Sequence, residues 1–372
     1  MPPTLQPALR TLLTGLAAGD SLGSTSEFIT NRATIATKTQ DGSGWPFWQV
    51  GGGSLGWSPG APTDDTDMAM GLVYAHLARP TDAAIFAPHH VAEQFVLWAS
   101  AGPRDIGLTT SSALGTIRNG TPWHHGGRHT YQRNPKAWAN GSLMRNGVIA
   151  GMADSYFDGF RASLWHGMMT HYAPLPQVCC AAQTFLCMWL LEREAVTELP
   201  YGDWLDEFEE LFRQWLDAED DEAIVGWRRD VQEAEIEDAF FRLHQMEREL
   251  EHGFDPYTTD ISGQQGFCLL TFQIALWALR WSLKTDEESA TAQYPLVPKE
   301  FDSRLFRKGG PFTLSWVALI GYDSDTYGAT AGPLIAAAWS KRGLRYGVPP
   351  ELRDGLLAPS VYDALVRERE AR

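Results

Sequence analysis

Two short runs hold most of the side chains able to do chemistry. They are Thr63-Asp64-Asp65-Thr66-Asp67 near one end of the chain and Asp323-Ser324-Asp325-Thr326 near the other. Neighbouring carboxylates repel, and a cation between them relieves the repulsion. Thr63 and Thr326 add neutral oxygens, so the combined set is hard and all-oxygen, suited to Mg²⁺, Mn²⁺ or Ca²⁺. Either run alone reads equally well as a plain helix start, because Thr and Asp cap the first free N–H groups and acids favour the positive end of the helix dipole. The two runs share one design, however: a Pro/Gly approach, acids with a Thr, then a small-residue apolar helix. Met68, Ala69, Leu72 and Ala75 follow the first, and Ala329, Ala331, Leu334, Ile335 and Ala338 the second. Two such helix starts facing one another would hold two metal ions and leave positions for a substrate. The expectation is that opposite ends of the chain meet.

Helices must supply those starts. Leu9, Leu12, Leu13 and Leu16 fall at helical spacing, which predicts an amphipathic helix over 6–16. Gly15, Gly19 and Gly23 follow at intervals of four; glycines weaken a helix, so a row on one face implies the close approach of another backbone. Glu27, just beyond, is either a surface acid or part of the site. Residues 41–60, dense in glycine and aromatics, form a loop: either a flap whose Trp45, Phe47, Trp48 or Trp57 covers a ligand, or an Ω-loop packed on its own rings. After a helix over 92–100, turn chemistry puts Asp105 in a loop. The tract His124, His125, His129 reads as surface, not as a zinc site. Asn140-Gly141-Ser142 opens a helix, either simply capping it or cradling phosphate through free N–H groups and the Ser hydroxyl. His171 sits at the mouth of a helix over 176–194, where it can donate to phosphate or ribose. Segment 203–250, with the stripe Leu205, Phe208, Phe212, Trp215, reads as peripheral helices without site chemistry, and a short helix over 312–320 leads into the second acid run. With no alternating pattern and no repeat, the fold class is all-α: one compact many-helix domain over 1–372, with a peripheral acidic helical insertion around 200–250.

Composition bounds the rest. With 372 residues, 44% of them hydrophobic, the chain can bury a substantial core. A formal charge of −16 argues against a nucleic-acid groove. Cys179, Cys180, Cys187 and Cys268 lack C-x-x-C spacing and read as buried free thiols of a cytoplasmic protein. Asp20 interrupts the first apolar run, against a secretion signal, and Gln273 and Arg280 argue against a membrane span over 267–283. A monomer without membrane partners is expected.

Taken in order, these pieces resemble the ADP-ribosylglycohydrolase family. The matching stretches are Gly15-Leu-Ala-Ala-Gly-Asp20-Ser-Leu-Gly23 with Glu27, Thr63-Asp64-Asp65-Thr66, Asp105-Ile-Gly107, Asn140-Gly141-Ser142-Leu-Met-Arg145, His171-Tyr-Ala-Pro174 and Gly321-Tyr-Asp323-Ser-Asp325-Thr326. The resemblance implies a compact all-α fold, a site with two Mg²⁺ (or Mn²⁺), and hydrolysis of the bond between ADP-ribose and a modified protein side chain. By motif match, Thr63, Asp64, Asp65, Asp323, Asp325 and Thr326 are the expected metal ligands, and Glu27 lies beside the metals. Asn140, Gly141, Ser142 and His171 are expected at the diphosphate and ribose. Asp105 matches an acid of the arginine-directed branch; Glu27 or Asp105 is then the general acid or base. The expected partners are an ADP-ribosylated protein as substrate and ADP-ribose as product, in regulation or in protection against an ADP-ribosylating toxin. A dinuclear phosphohydrolase acting on nucleotides and a non-catalytic ADP-ribose-binding protein are the alternatives. Tyr322 replaces the family's usual second Gly, and Pro333 is expected to bend the closing helix or delay its start.

Overall fold

A computed structural model describes residues 6–79, 85–194, 196–284, 298–306 and 309–356. Among these residues there are sixteen α-helices and no strand, only two isolated bridges. The first five are α1 (Pro7–Gly23), α2 (Arg32–Lys38), α3 (Asp64–Leu77), α4 (Pro88–Ser100) and α5 (Leu108–Arg118). Then come α6 (Arg128–Arg133), α7 (Leu143–Asn146), α8 (Tyr156–Met168) and α9 (Pro174–Glu192). The outer helices α10 (Asp203–Ala218), α11 (Glu222–Asp230) and α12 (Glu233–Glu251) precede α13 (Cys268–Leu283), α14 (Thr313–Ala318), α15 (Ser324–Trp339) and α16 (Pro350–Arg353).

The central pair is α1 against α15. The first helix runs two turns past residue 16, with its glycines inside it, because the closing helix lies against them. A Cβ on Gly15 would fall 2.4 Å from the carbonyl oxygen of Gly332, one on Gly19 2.0 Å from that of Gly328, and one on Gly23 2.2 Å from that of Ser324. The descending partner numbers make the pair antiparallel, and only glycine lets two helix backbones approach so closely. The small residues of α15 are thus contact surface, and the seam joins the two ends of the chain. Pro333 does not delay the start of α15; its ring packs on Gly147, where a Cβ would lie 2.4 Å away.

Around this seam, Leu9, Leu12, Leu16, Phe185, Leu276 and Leu334 are buried, each contributing about 1.5–3 kcal/mol by leaving water. α9 is long and apolar enough to cross a membrane, but it is buried within the bundle. The four cysteines are buried and unbridged.

The acidic segment packs outside α8 and α9 through rings: Phe160 lies 5.7 Å from Phe208, 5.5 Å from Phe212 and 5.6 Å from Trp215, centre to centre. It is less remote than its sequence implies. Trp227 Nε1 donates to the Tyr172 carbonyl at 2.8 Å, and Asp230 accepts from the Tyr172 hydroxyl at 2.7 Å and from Arg128 at 2.6 Å. The segment therefore braces the residue next to His171.

Loop 41–60 is packed onto neighbouring elements. Trp45 is buried and donates to the Leu22 carbonyl at 3.0 Å, Thr25 donates to that of Gly51 at 3.0 Å, and Ser54 to that of Glu27 at 3.0 Å. Phe47 meets Phe312 edge-on at 5.9 Å. These bonds tie the loop to the Glu27 segment, and Trp45, Phe47, Trp48 and Trp57 are not among the residues lining the cavity beside the acids.

Candidate active site

The first acid run begins α3. Thr63 caps it, with its hydroxyl donating to Asp65 Oδ2 at 2.7 Å. A second acid holds this turn from outside: Asp20 of α1 accepts from the Thr63 N–H at 3.0 Å, from the Thr66 N–H at 3.1 Å and from the Thr66 hydroxyl. Burial nevertheless pushes the Asp20 carboxyl up to about 7. Asp20 is a positioning residue whose signal in the sequence is a lone acid inside an otherwise apolar helix.

The second acid run begins α15. Asn140 Nδ2 donates to Asp323 Oδ2 at 2.7 Å and to Thr271 Oγ1 at 2.9 Å, tying the Asn140 loop to the closing helix. The Glu27 segment is fastened to the same place. Phe28 N–H donates to the Tyr322 carbonyl at 2.6 Å, and Tyr322 N–H to that of Ile29 at 3.0 Å. Phe28 and Tyr322 both adopt left-handed backbone, each with φ of 60°. Left-handed geometry is costly for an aromatic residue. It explains why glycine suits position 322, and the Tyr ring placed there lines the cavity.

The two runs meet. Asp20, Asp65 and Asp325 bring carboxylate oxygens within 4.8 Å of one another, and so do Glu27, Asp105 and Asp325, so Asp325 belongs to both groups. Hydrogen bonds already occupy Asp20. By contrast, Asp65 Oδ1, Asp325 Oδ1 and Glu27 Oε2 are buried without any hydrogen-bond partner. Burial, with the charge of neighbouring acids, holds Asp64, Asp65 and Asp325 well above the usual carboxylate range. Glu27 rises to about 9, first through burial and then through the charge of Asp105. Burial likewise raises Asp105 and Asp323. Converging oxygens with no donor and too much negative charge are what a hard divalent cation relieves, and the all-oxygen donor set fits one.

Beside the acids lies a cavity of about 470 Å³, lined among others by Asp64, Asp105, Asn140, Gly141, His171 and Tyr322. Its size is within the range of small-molecule sites. Thr63 and Asp65 lie fully buried, and Thr326, whose hydroxyl bonds Asp323, lines the wall. Gly141 is required here, because a Cβ on it would lie 2.8 Å from His171 Cε1. Ser142 departs from expectation: its hydroxyl is wholly enclosed, 3.5 Å from Cys180 Sγ, and does not line the cavity. Residue 142 faces α9, which carries Cys180. A second cavity of about 400 Å³ between α3 and α4 has Asp67 as its only carboxylate and lacks the convergent acids.

The sequence profile of the ADP-ribosylglycohydrolase family matches residues 1–371. The ADP-ribosyl-dinitrogen reductase glycohydrolase of Rhodospirillum rubrum is 35% identical over 132 residues, which is 35% of this chain and 40% of that protein. An ADP-ribosylarginine hydrolase of Serratia proteamaculans is 28% identical over 206 residues, 51% of this chain and 50% of the relative. The chain thus spans half or less of the length of these curated relatives. A solved ADP-ribosylglycohydrolase-related protein complex shares the fold, with a TM-score of 0.57 over 97% of this chain and 96% of its own, at 21% identity. With its glycine seam, its paired acid runs at helix starts and a profile match along nearly its whole length, the chain belongs to the ADP-ribosylglycohydrolase family.

Proposed function

We propose that the protein is a Mg²⁺-dependent hydrolase that frees ADP-ribose from a modified protein side chain, with arginine the favoured linkage, and so reverses ADP-ribosylation, including that inflicted by a toxin. The observation that carries this reading is a pair of carboxylate groups that share Asp325, one containing Asp65 and the other Glu27, with one oxygen on each of these three acids buried without a hydrogen-bond partner, beside a cavity lined also by Asn140, Gly141 and His171. Thr63, Asp64, Asp65, Asp323, Asp325 and Thr326 would hold two Mg²⁺, or Mn²⁺, which when bound supply a template for the ribose hydroxyls and for water. The arginine preference is supported by Asp105 at the cavity wall, by an acidic surround that favours a guanidinium, and by the name of the Serratia relative.

The bond to be broken joins the anomeric carbon to a guanidine nitrogen. Water forms the new C–O bond, the C–N electron pair leaves with the nitrogen, and that nitrogen gains a proton. Asn140, His171 and the Gly141 backbone orient the nucleotide-sugar so that its anomeric carbon faces Glu27. Glu27, with a free buried oxygen, is assigned the proton transfer with water, and Asp105, in the same group of oxygens, is assigned to the leaving nitrogen.

Incubation with arginine-, serine- and other-linked ADP-ribosyl proteins, with and without Mg²⁺, tests the reading. Metal-dependent release of intact ADP-ribose supports it. AMP or phosphate as the product would indicate a phosphohydrolase instead, and tight ADP-ribose binding without turnover a binding protein.

A further inference from the structure

Behind the cavity wall sits a charged side chain with an unusual set of partners. Arg145, on α7, is fully enclosed, and no carboxylate among the described residues forms an ion pair with it. A buried cation is costly unless its donors are satisfied. All five N–H groups of Arg145 are. Nε donates to His166 Nδ1 at 3.3 Å. One terminal nitrogen donates to the Gly141 carbonyl at 2.8 Å and to Met68 Sδ at 3.3 Å. The other donates to the His166 carbonyl at 3.1 Å and to Thr170 Oγ1 at 2.6 Å. The guanidinium also lies over the Phe95 ring, 4.7 Å from its centre.

Arginine has no acceptor, so each atom it reaches must accept, and the hydrogens of those partners have to point elsewhere. His166 Nδ1 therefore accepts, and the His166 hydrogen is on Nε2, which donates to Asn146 Oδ1 at 2.9 Å. The Asn146 amide is itself oriented by donation from Nδ2 to the Cys180 carbonyl at 2.8 Å. Thr170 Oγ1 accepts from Arg145, and its own hydrogen has an acceptor in His171 Nδ1 at 2.8 Å. A threonine hydroxyl has two acceptor sites, but among the described hydrogen bonds its hydrogen has no other acceptor, which makes His171 Nδ1 the unprotonated nitrogen and places the hydrogen of the neutral ring on Nε2. That nitrogen is on the Gly141 side, 3.2 Å from the position a Cβ there would take.

From this chain of donors we infer that Arg145 and Thr170 are positioning residues that set the tautomer of His171, presenting its Nε2–H to the cavity as a donor to a phosphate or hydroxyl oxygen of the bound nucleotide-sugar. The identity of that ligand rests on the proposed function; the tautomer does not. Burial, and then the Arg145 charge, lowers the His171 pKa to about 3, so the ring stays neutral and the donor stays in place over the working pH range. The same guanidinium grips the Gly141 carbonyl, so one buried cation locates both a backbone and a side-chain element of the cavity wall.

Nitrogen-15 NMR of the histidine rings, read in the ligand-free protein and again with ADP-ribose, tests this. His171 is expected to show a protonated Nε2 and an unprotonated Nδ1, unchanged between pH 6 and 8. Thr170→Val keeps the shape and removes the relay. It should mix the His171 tautomers and weaken ADP-ribose binding about tenfold, the cost of one hydrogen bond, with a larger effect on KM than on kcat. Thr170→Ser should restore both. A wild-type ring protonated on Nδ1, or a Val variant with unaltered tautomer and affinity, overturns the inference. If the Val variant does not fold, the wild-type tautomer and the Ser variant still decide. The Nε2–H tautomer in a protein that binds no ADP-ribose supports the relay and removes the substrate reading alone.

Discussion

Gly19→Ala is the sharpest test of what holds the site together. A methyl at that position would lie 2.0 Å from the Gly328 carbonyl oxygen, whereas ordinary contact begins at 3.4 Å. The obstacle is backbone, which cannot rotate away, so α1 and α15 must part by about 1.4 Å at that level. In an open helix the same substitution stabilises by about 1 kcal/mol. Here overpacking costs about 1–3 kcal/mol and acts at the upper end, because both contacting elements are helix backbones, leaving a net loss of about 1–2 kcal/mol. Function should suffer more. Asp20 is the next residue along α1, and Asp325 lies one turn from Gly328, so separating the seam parts the acids; a misplacement of about 1 Å can cost about a hundredfold in rate. Gly115→Ala, in α5 with nothing within 4 Å of the new methyl, is the matched control and should stabilise by about 0.5–1 kcal/mol. Urea midpoints, Mg²⁺ titration calorimetry and turnover of an ADP-ribosyl-arginine substrate read the difference. If Gly19→Ala raises the midpoint as Gly115→Ala does and leaves Mg²⁺ affinity intact, the seam is not what brings the acids together.

Other outcomes follow from the acid cluster. Asp64→Ala and Asp325→Ala should abolish Mg²⁺-dependent turnover with the fold intact by circular dichroism; full activity of either variant in chelator would refute the metal assignment. Glu27→Gln should lower kcat by about 10²–10⁴ with little change in ADP-ribose affinity, and an unaltered rate would remove Glu27 from the chemistry. Without metal, the raised carboxyls oppose folding as they ionise. Glu27 ordinarily titrates near 4.5 and is held up to about 9, so its contribution to the stability of the protein in chelator is fully present below pH 4.5 and is lost as pH rises through that interval. The gain in melting temperature on adding Mg²⁺ should therefore grow between pH 5 and 8; a gain that shrinks with pH contradicts the clustered acids.

Local chemistry was legible in the sequence. Helical spacing of Leu9, Leu12 and Leu16, the cap at Thr63, the acid run that starts at Asp323, and glycines in steps of four are each set within a few residues, and the structure realises them as α1, α3, α15 and their seam. What tertiary packing alone decided are contacts whose partners lie far apart in the chain. Asp20 acquires its task only when α1 meets the start of α3, because a carboxylate has no orientation until specific N–H groups surround it. Ser142 is enclosed because α9, more than thirty residues along the chain, packs Cys180 against its hydroxyl. The bracing of Tyr172 by Asp230, and the enclosure of Arg145 among five acceptors, carry no periodicity or composition by which a sequence could announce them. Spacing along a chain encodes which face a residue occupies, while the identity of what faces it is a property of the folded whole.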